Sequence, residues 1–173
     1  MMMMARAEQV RPADDAAAWI AGRVPGGWYT GAPEVTVDRD EILVVGPLSP
    51  PEGADGEAAA SGRIARFREE TRERRMAIAR EAQRRYGRTV SWGARVGEHA
   101  ETFTTASVPV MTRLRQPERR VLDTLVDAGV ARSRSDALAW CVRLVGRHQE
   151  EWIVSLRDAL TTVEQVRSQG PEA

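Results

Sequence analysis

The sequence predicts an α+β protein built from a small N-terminal αββαβ layer, a strand followed by two helices, and a C-terminal amphipathic helix. Two observations support this class. Within the first hundred residues, the apolar positions change repeatedly between helical spacing and strand alternation. After residue 104, one stretch alternates and then adopts helical spacing twice. We therefore expect a mixed layer of helices and strands in the N-terminal region, followed by a mainly helical C-terminal region that begins with one strand.

The N-terminal region, residues 12–104, begins with a predicted helix at 12–24, which ends at a Pro-Gly-Gly sequence. Two or three short strands are predicted: 34–38 and 42–45, joined by a polar turn as a hairpin, and residues 28–30 as an optional third. The following residues, 46–62, are rich in proline, glycine, alanine and acidic side chains. This composition predicts a mobile linker.

Residues 63–86 predict one long arginine-rich helix that ends at Gly87. A strand at 89–96 follows, and a return strand reaches residue 104. Two interpretations of the arginine-rich helix stay open: its basic side chains track a phosphate backbone, or they form a solvated face balanced by glutamates. The candidate arginines are Arg68, Arg72, Arg75, Arg84, Arg85 and Arg88.

Residues 105–146 are predicted to form a strand, a helix and a second helix. Residues 107–114 alternate between apolar and other side chains, and the pattern becomes helical over 116–128. Ser133 with Asp136 three residues later predicts the start of the second helix as a capping box. One strand with two short helices leaves an unpaired edge and buries little surface, so a second copy is the expected partner. The expected dimer core consists of Val108, Val110, Leu114, Leu122, Leu125, Leu138, Cys141, Val142 and Val145.

The sequences VPVMTRL, LDTLVDAGV and SRSDAL in this region resemble the ribbon-helix-helix family of dimeric DNA-binding domains. The resemblance implies a homodimer or higher oligomer on double-stranded DNA, with the paired strands in the major groove. Outward ribbon residues that would read bases are Ser107, Pro109, Met111 and Arg113. The resemblance also implies a phosphate held at the start of the second helix, by Arg132, Ser133, Arg134 and Ser135, and the helix dipole favours an anion there.

Two functions follow from these patterns. The first is a homodimeric transcriptional regulator that reads DNA through the ribbon. The second is a non-enzymatic dimeric scaffold that keeps the fold for dimerisation and binds protein or RNA through the arginine-rich helix. Pro109 and Met111 keep the second open, because family ribbons carry polar or basic residues at outward positions. We expect neither an enzyme nor a cofactor or metal site, because the sequence has no nucleophile elbow, phosphate loop or metal-ligand spacing.

The charge is unevenly distributed although the net charge is zero. All 25 basic residues are arginine, and residues 63–103 hold eleven of them against six acidic residues. This basic centre indicates either a polyanion partner or a contact with the acidic chain ends. One cysteine and the absence of an apolar segment of membrane length predict a cytoplasmic protein with no membrane contact. Residues 1–11 are predicted to be disordered, 147–168 to form the last helix, and 169–173 to fray.

Overall fold

A computed structural model describes residues 12–169 of the chain. The predicted disorder of residues 1–11 and most of the predicted frayed tail lie outside these residues. The chain divides into two compact units, residues 1–109 (unit 1) and 110–173 (unit 2). Within the described residues the fold is α+β, with six helices and one four-stranded sheet. No helix in residues 12–169 is both long enough and apolar enough to cross a membrane.

The described part of unit 1 contains three helices and four strands, in the order αββααββ. These elements are α1 (Ala16–Arg23), β1 (Glu34–Val37), β2 (Glu41–Pro47), α2 (Glu57–Glu70), α3 (Arg72–Tyr86), β3 (Thr89–Val96) and β4 (His99–Thr102). The sheet order is β1-β2-β3-β4, in which β2 and β3 are parallel and the outer pairs are antiparallel. The optional strand at 28–30 is not formed: this segment follows a turn at residues 26–27 and carries no regular structure, and its aromatic side chains pack on the core.

The core of unit 1 lies between the sheet and one layer of helices. Alternate residues of β2 and β3, such as Ile42 and Trp92, share one buried cluster with Ile20 of α1 and Ile78 of α3. A second cluster joins α2 to the far end of β3. The helical stripes and the inward strand positions therefore bury the same face of the sheet, as amphipathic spacing requires.

The connection predicted at 46–62 is shorter in the structure. Gly46 and Pro47 continue β2 opposite Ala94 and Arg95 of β3, and α2 already begins at Glu57. Only residues 48–56 form the connection. The linker prediction was too long because alanines 58–60 inside the stretch favour helix and belong to α2.

The single helix predicted at 63–86 is two helices with a break at Thr71. The Thr71 hydroxyl donates to the carbonyl oxygen of Phe67 four residues earlier (2.6 Å), a bond that bends helices. Arg75, which interrupts the apolar stripe in the sequence, is only 6% exposed. Its Nε donates to Thr71 Oγ1 (2.9 Å) and its Nη2 to the carbonyl oxygen of Arg68 (2.6 Å). A buried guanidinium thus closes the C-terminal end of α2.

The described part of unit 2 is helical: α4 (Gln116–Asp127), α5 (Arg134–His148) and α6 (Glu150–Gln169). The helices predicted at 116–128 and from Ser133 are confirmed, and Gly129 adopts the positive φ of 74° that favours glycine after a helix. Residues 104–115 carry no regular structure in the single chain, so the strand predicted at 107–114 is not formed there. A strand needs a hydrogen-bonded neighbour, and one copy supplies none.

Candidate nucleic-acid interface

The predicted base-reading residues all lie on the surface. Their side chains are exposed without exception: Ser107, Pro109, Met111 and Arg113. The alternate positions Val108 and Val110 are exposed as well, and only Leu114 at the end of the segment is half-buried against the helices of unit 2. Both sides of the alternating segment are therefore uncovered in one copy. Val110 is 85% exposed and Met111 96%.

The predicted dimer core is only partly buried within one chain. Leu122 is buried with Ala131 and Ala137, two residues outside the predicted set. The half-buried members around them are Leu114, Leu125, Leu138 and Cys141. Exposed members are Val108, Val110, Val142 and Val145. The three fully buried residues form a small core that holds α4 against α5, and the exposed valines remain without cover.

The start of α5 is capped as the sequence predicts, with one difference. The Ser133 hydroxyl accepts a hydrogen bond from the Asp136 backbone N–H (3.2 Å). The Asp136 carboxylate accepts a hydrogen bond from the backbone N–H of Arg132 (3.0 Å). In the usual capping box it would accept from the N-cap residue itself, which is Ser133. The backbone hydrogen bond from Arg132, with the nearby Arg132 charge, holds the pKa of Asp136 below its ordinary value.

Arg134 is bound to a carboxylate that the sequence did not reveal as its partner. Its Nε and Nη2 donate to Asp123 Oδ1 (2.6 Å) and Oδ2 (2.8 Å) and so join α5 to α4. The paired guanidinium holds the pKa of Asp123 below its ordinary value. Arg132 is more exposed than Arg134, with 94% of its side chain accessible against 59%, and its Nε lies 3.6 Å from Asp136 Oδ2, outside good hydrogen-bond geometry. Of the two arginines, Arg132 is the one available to an external phosphate.

The arginine-rich helix carries fewer outward arginines than predicted. Arg75 and Arg88 are buried, and Arg88 donates through Nε to the carbonyl oxygen of Asp38 (2.6 Å). Arg85 is exposed but paired with Asp15 through Nη2 (2.7 Å). Neither of the two interpretations of the arginines holds for Arg75 and Arg88, because their side chains are buried inside unit 1 and neither track a phosphate backbone nor form a solvated face.

Other polar groups of the described chain do not assemble into a metal site. Among residues 12–169 no group of three or more histidine, cysteine, aspartate or glutamate side chains has metal-binding geometry. His99 Nε2 lies 3.0 Å from Glu101 Oε1, and His99 Nδ1 lies 3.7 Å from Glu57. Two open depressions of about 570 and 600 Å³ lie on unit 1, one between α1 and the β1–β2 hairpin and one beside the β3–β4 turn.

The chain is an α+β protein in which the irregular segment 107–114, which spans the boundary between the two units, exposes apolar side chains. Residues 14–102 match the family described as Rv1265-like protein, N-terminal domain, and residues 115–167 match the one described as Mb1296 C-terminal domain. The chain belongs to the Rv1265-like family. It is 61% identical over 162 residues to uncharacterized protein Rv1265 of Mycobacterium tuberculosis and to uncharacterized protein Mb1296 of Mycobacterium bovis. These alignments cover 92% of this chain and 72% of each relative. No solved structure matches the chain significantly.

Proposed function

We propose that the chain is a homodimeric DNA-binding protein, a transcriptional regulator of the cytoplasm, in which residues 107–114 of two copies pair as an antiparallel ribbon. One observation carries the proposal: an alternating segment with both sides uncovered directly precedes a capped helix pair with a small core. Pairing with a second copy would give Val108 and Val110 cover and the backbone its hydrogen bonds. Fully burying each valine contributes about 1.5–3 kcal/mol.

In this ribbon the outward side chains face the major groove. Arg113 can donate two hydrogen bonds to guanine O6 and N7, and Met111 can contact the methyl group of thymine. Pro109 has no backbone N–H, so it fits only where the partner strand needs no donor. Sequence reading would therefore depend mainly on Arg113.

The start of α5 would bind a phosphate and orient the protein on the duplex. The backbone N–H groups of Arg134 and Ser135 lie in the first helical turn, where the helix supplies no acceptor for them. Together with the helix dipole these N–H groups favour an anion, and the exposed side chain of Arg132 adds a positive charge beside them. Asp123 and Asp136 balance the two arginines, so we expect the backbone N–H groups to dominate this contact.

Selection from a pool of randomised duplex DNA tests the proposal. We expect salt-sensitive binding, for which Arg113→Ala relaxes the sequence preference and Arg132→Ala weakens all sequences equally, lowering the salt slope by about one. Arg157→Ala on α6, an exposed arginine outside the proposed contacts, is the matched control and should change neither. No duplex binding by the pure protein at about 50 mM salt, where phosphate contacts are strong, would refute the proposal.

The competing candidate is a dimeric scaffold without DNA binding. It is favoured by one observation: the nearly fully exposed side chain in the middle of the ribbon, Met111, is apolar, and apolar surface residues suit a protein partner better than a base edge. A stable protein or RNA complex that survives Arg113→Ala, together with a negative DNA selection, would favour this candidate.

A further inference from the structure

Side chains at alternating spacings of three and four residues form a row along α5 and α6 that is apolar except for Gln149, which lies at the junction between the helices. Gln149 lies at a bend between them, with φ −124° and ψ 29°. Its N–H donates to Val145 O (2.9 Å) and its carbonyl oxygen accepts from Ile153 N (2.9 Å), so helical hydrogen bonds still span the junction. A repeat of 3.5 residues is the spacing with which one helix packs along another. We call this row the seam; its members are Leu138, Val142, Val145, Gln149, Trp152, Leu156, Ala159, Val163 and Val166.

Most of the seam is uncovered in the single chain. From Val142 onward every member is exposed, and no side chain in the described part of α6 is buried. Ile153 and Leu160 lie beside the seam and widen the apolar face to about three positions in seven, the width typical of helices that face a bundle core.

Charged side chains avoid the seam. Between residues 149 and 166 they all lie at other positions of the repeat: Glu150, Glu151, Arg157, Asp158 and Glu164. A partner that brought a charge against this face would leave that charge buried and unpaired, which is costly. The partner must therefore offer a long helical face that is apolar and uncharged.

We propose that the seam is a self-association surface, covered by the same seam of a second copy of this chain. A second copy presents a face of the required kind and length. From Leu138 to Val166 the seam measures about 42 Å along the two helices at 1.5 Å per residue. With side chains about 10 Å across, its area is within about a factor of two of the ~800 Å² per partner of stable interfaces.

The seam is also continuous with the dimer core expected at the ribbon. Leu138 packs in the core of unit 2, and Val142 and Val145 belong both to the seam and to that expected core. The pairing of α6 thus extends the dimer of the proposed function, on which this part of the inference rests, but it requires no DNA.

Sedimentation equilibrium of the full chain tests the inference with a matched pair of substitutions. Leu156 and Val154 are both 44% exposed, but Leu156 lies in the seam and Val154 on the opposite side of α6. We expect Leu156→Asp to raise the dissociation constant of self-association by about 100-fold, and Val154→Asp to change it less than about threefold. Far-UV circular dichroism checks that both variants keep their helix content. Equal dissociation constants for the two variants, or a monomeric unsubstituted chain at all concentrations, would overturn the inference.

A ribbon substitution separates this inference from the proposed function. Val110→Asp places a charge in the expected ribbon and leaves the seam intact. If the chain binds no DNA and Leu156→Asp still weakens association, the seam inference holds while the proposed function fails. If Val110→Asp abolishes association and Leu156→Asp has no effect on it, the seam inference fails while the ribbon dimer stands.

Discussion

The packing of Tyr29 against Gly46 allows a quantitative test of the unit 1 core. Gly46 lies in β2, and the Tyr29 ring covers it so closely that a built Cβ would lie within 3.0 Å of three ring carbons. Ordinary carbon contacts are about 3.5–4.0 Å, so Gly46→Ala must push the ring away. The displaced ring would lose its contact with Phe67, whose ring centroid lies 5.4 Å away.

The expected cost of Gly46→Ala follows from three contributions. Overpacking costs about 1–3 kcal/mol. The lost ring contact costs about 0.5–1.5 kcal/mol, and replacing glycine inside a strand returns about 0.5–1 kcal/mol. We therefore expect the free energy of unfolding of unit 1 to fall by about 2 kcal/mol, taking the middle of these ranges. In a Tyr29→Ala background the clash is absent, and Gly46→Ala should stabilise unit 1 by about 0.5–1 kcal/mol.

Urea unfolding of the four chains of this double-mutant cycle provides the measurement. Replacing Trp140 and Trp152 of unit 2 by phenylalanine leaves tryptophan fluorescence as a reporter of unit 1 alone. Gly22→Ala in α1 is the control, because a Cβ there meets nothing within 4 Å and the change should stabilise by about 0.5–1 kcal/mol. An equal effect of Gly46→Ala in both Tyr29 backgrounds would refute the contact argument.

Three further predictions concern capping and titration. Ser133→Ala should lower the stability of unit 2 by about 1 kcal/mol in thermal unfolding, because the Asp136 N–H loses its acceptor. Ser135→Ala, two residues further along in the first turn of α5, is the control and should change the stability by less than about 0.5 kcal/mol. The pKa values of Asp123 and Asp136 are lowered in the folded protein, so the stability that these carboxylates contribute is present above pH 3.8 and is lost as the pH falls through the folded pKa values. Helix content at acid pH should therefore drop less for Asp123→Asn than for the unsubstituted chain. An identical acid transition in the two chains would contradict this. Burial raises the pKa of Tyr29 from 10.0 to about 12. The free energy that unit 1 gains by keeping Tyr29 protonated is therefore present below pH 10 and is lost as the pH rises through 12. A tyrosinate absorbance titration in which Tyr29 ionises near pH 10 while unit 1 is still folded would contradict this.

The local signals of the sequence predicted the helical part of unit 2 well. Ser133 and Gly129 mark helix ends through their own backbone and side-chain preferences, which need no distant partner. The break at Thr71 was missed because it depends on the burial of Arg75, whose guanidinium lies 4.8 Å from the ring centroid of Phe103, far along the chain. The same reason hid the Arg134 pair with Asp123, since only the packing of α4 against α5 brings these side chains together.

The ribbon segment shows a different limit of sequence reasoning. Its alternation is a property of one chain, but strand formation depends on a partner that a single chain does not contain. The parallel pairing of β2 with β3 was also beyond the patterns, because a short apolar strand carries no mark of the direction of its neighbour.

That parallel pairing has a consequence for how unit 1 folds. Glu41 of β2 lies opposite Thr89 of β3, so the two central strands meet only after the whole α2–α3 segment has closed a loop of about 48 residues. Until β3 has left the ribosome, the edge of β2 that pairs with β3 has no hydrogen-bonding partner, and the apolar face of the β1–β2 hairpin is not fully covered. The sheet of unit 1 should therefore assemble late in synthesis and in one cooperative step, and a chain interrupted before Thr89 should aggregate or be degraded rather than fold in part.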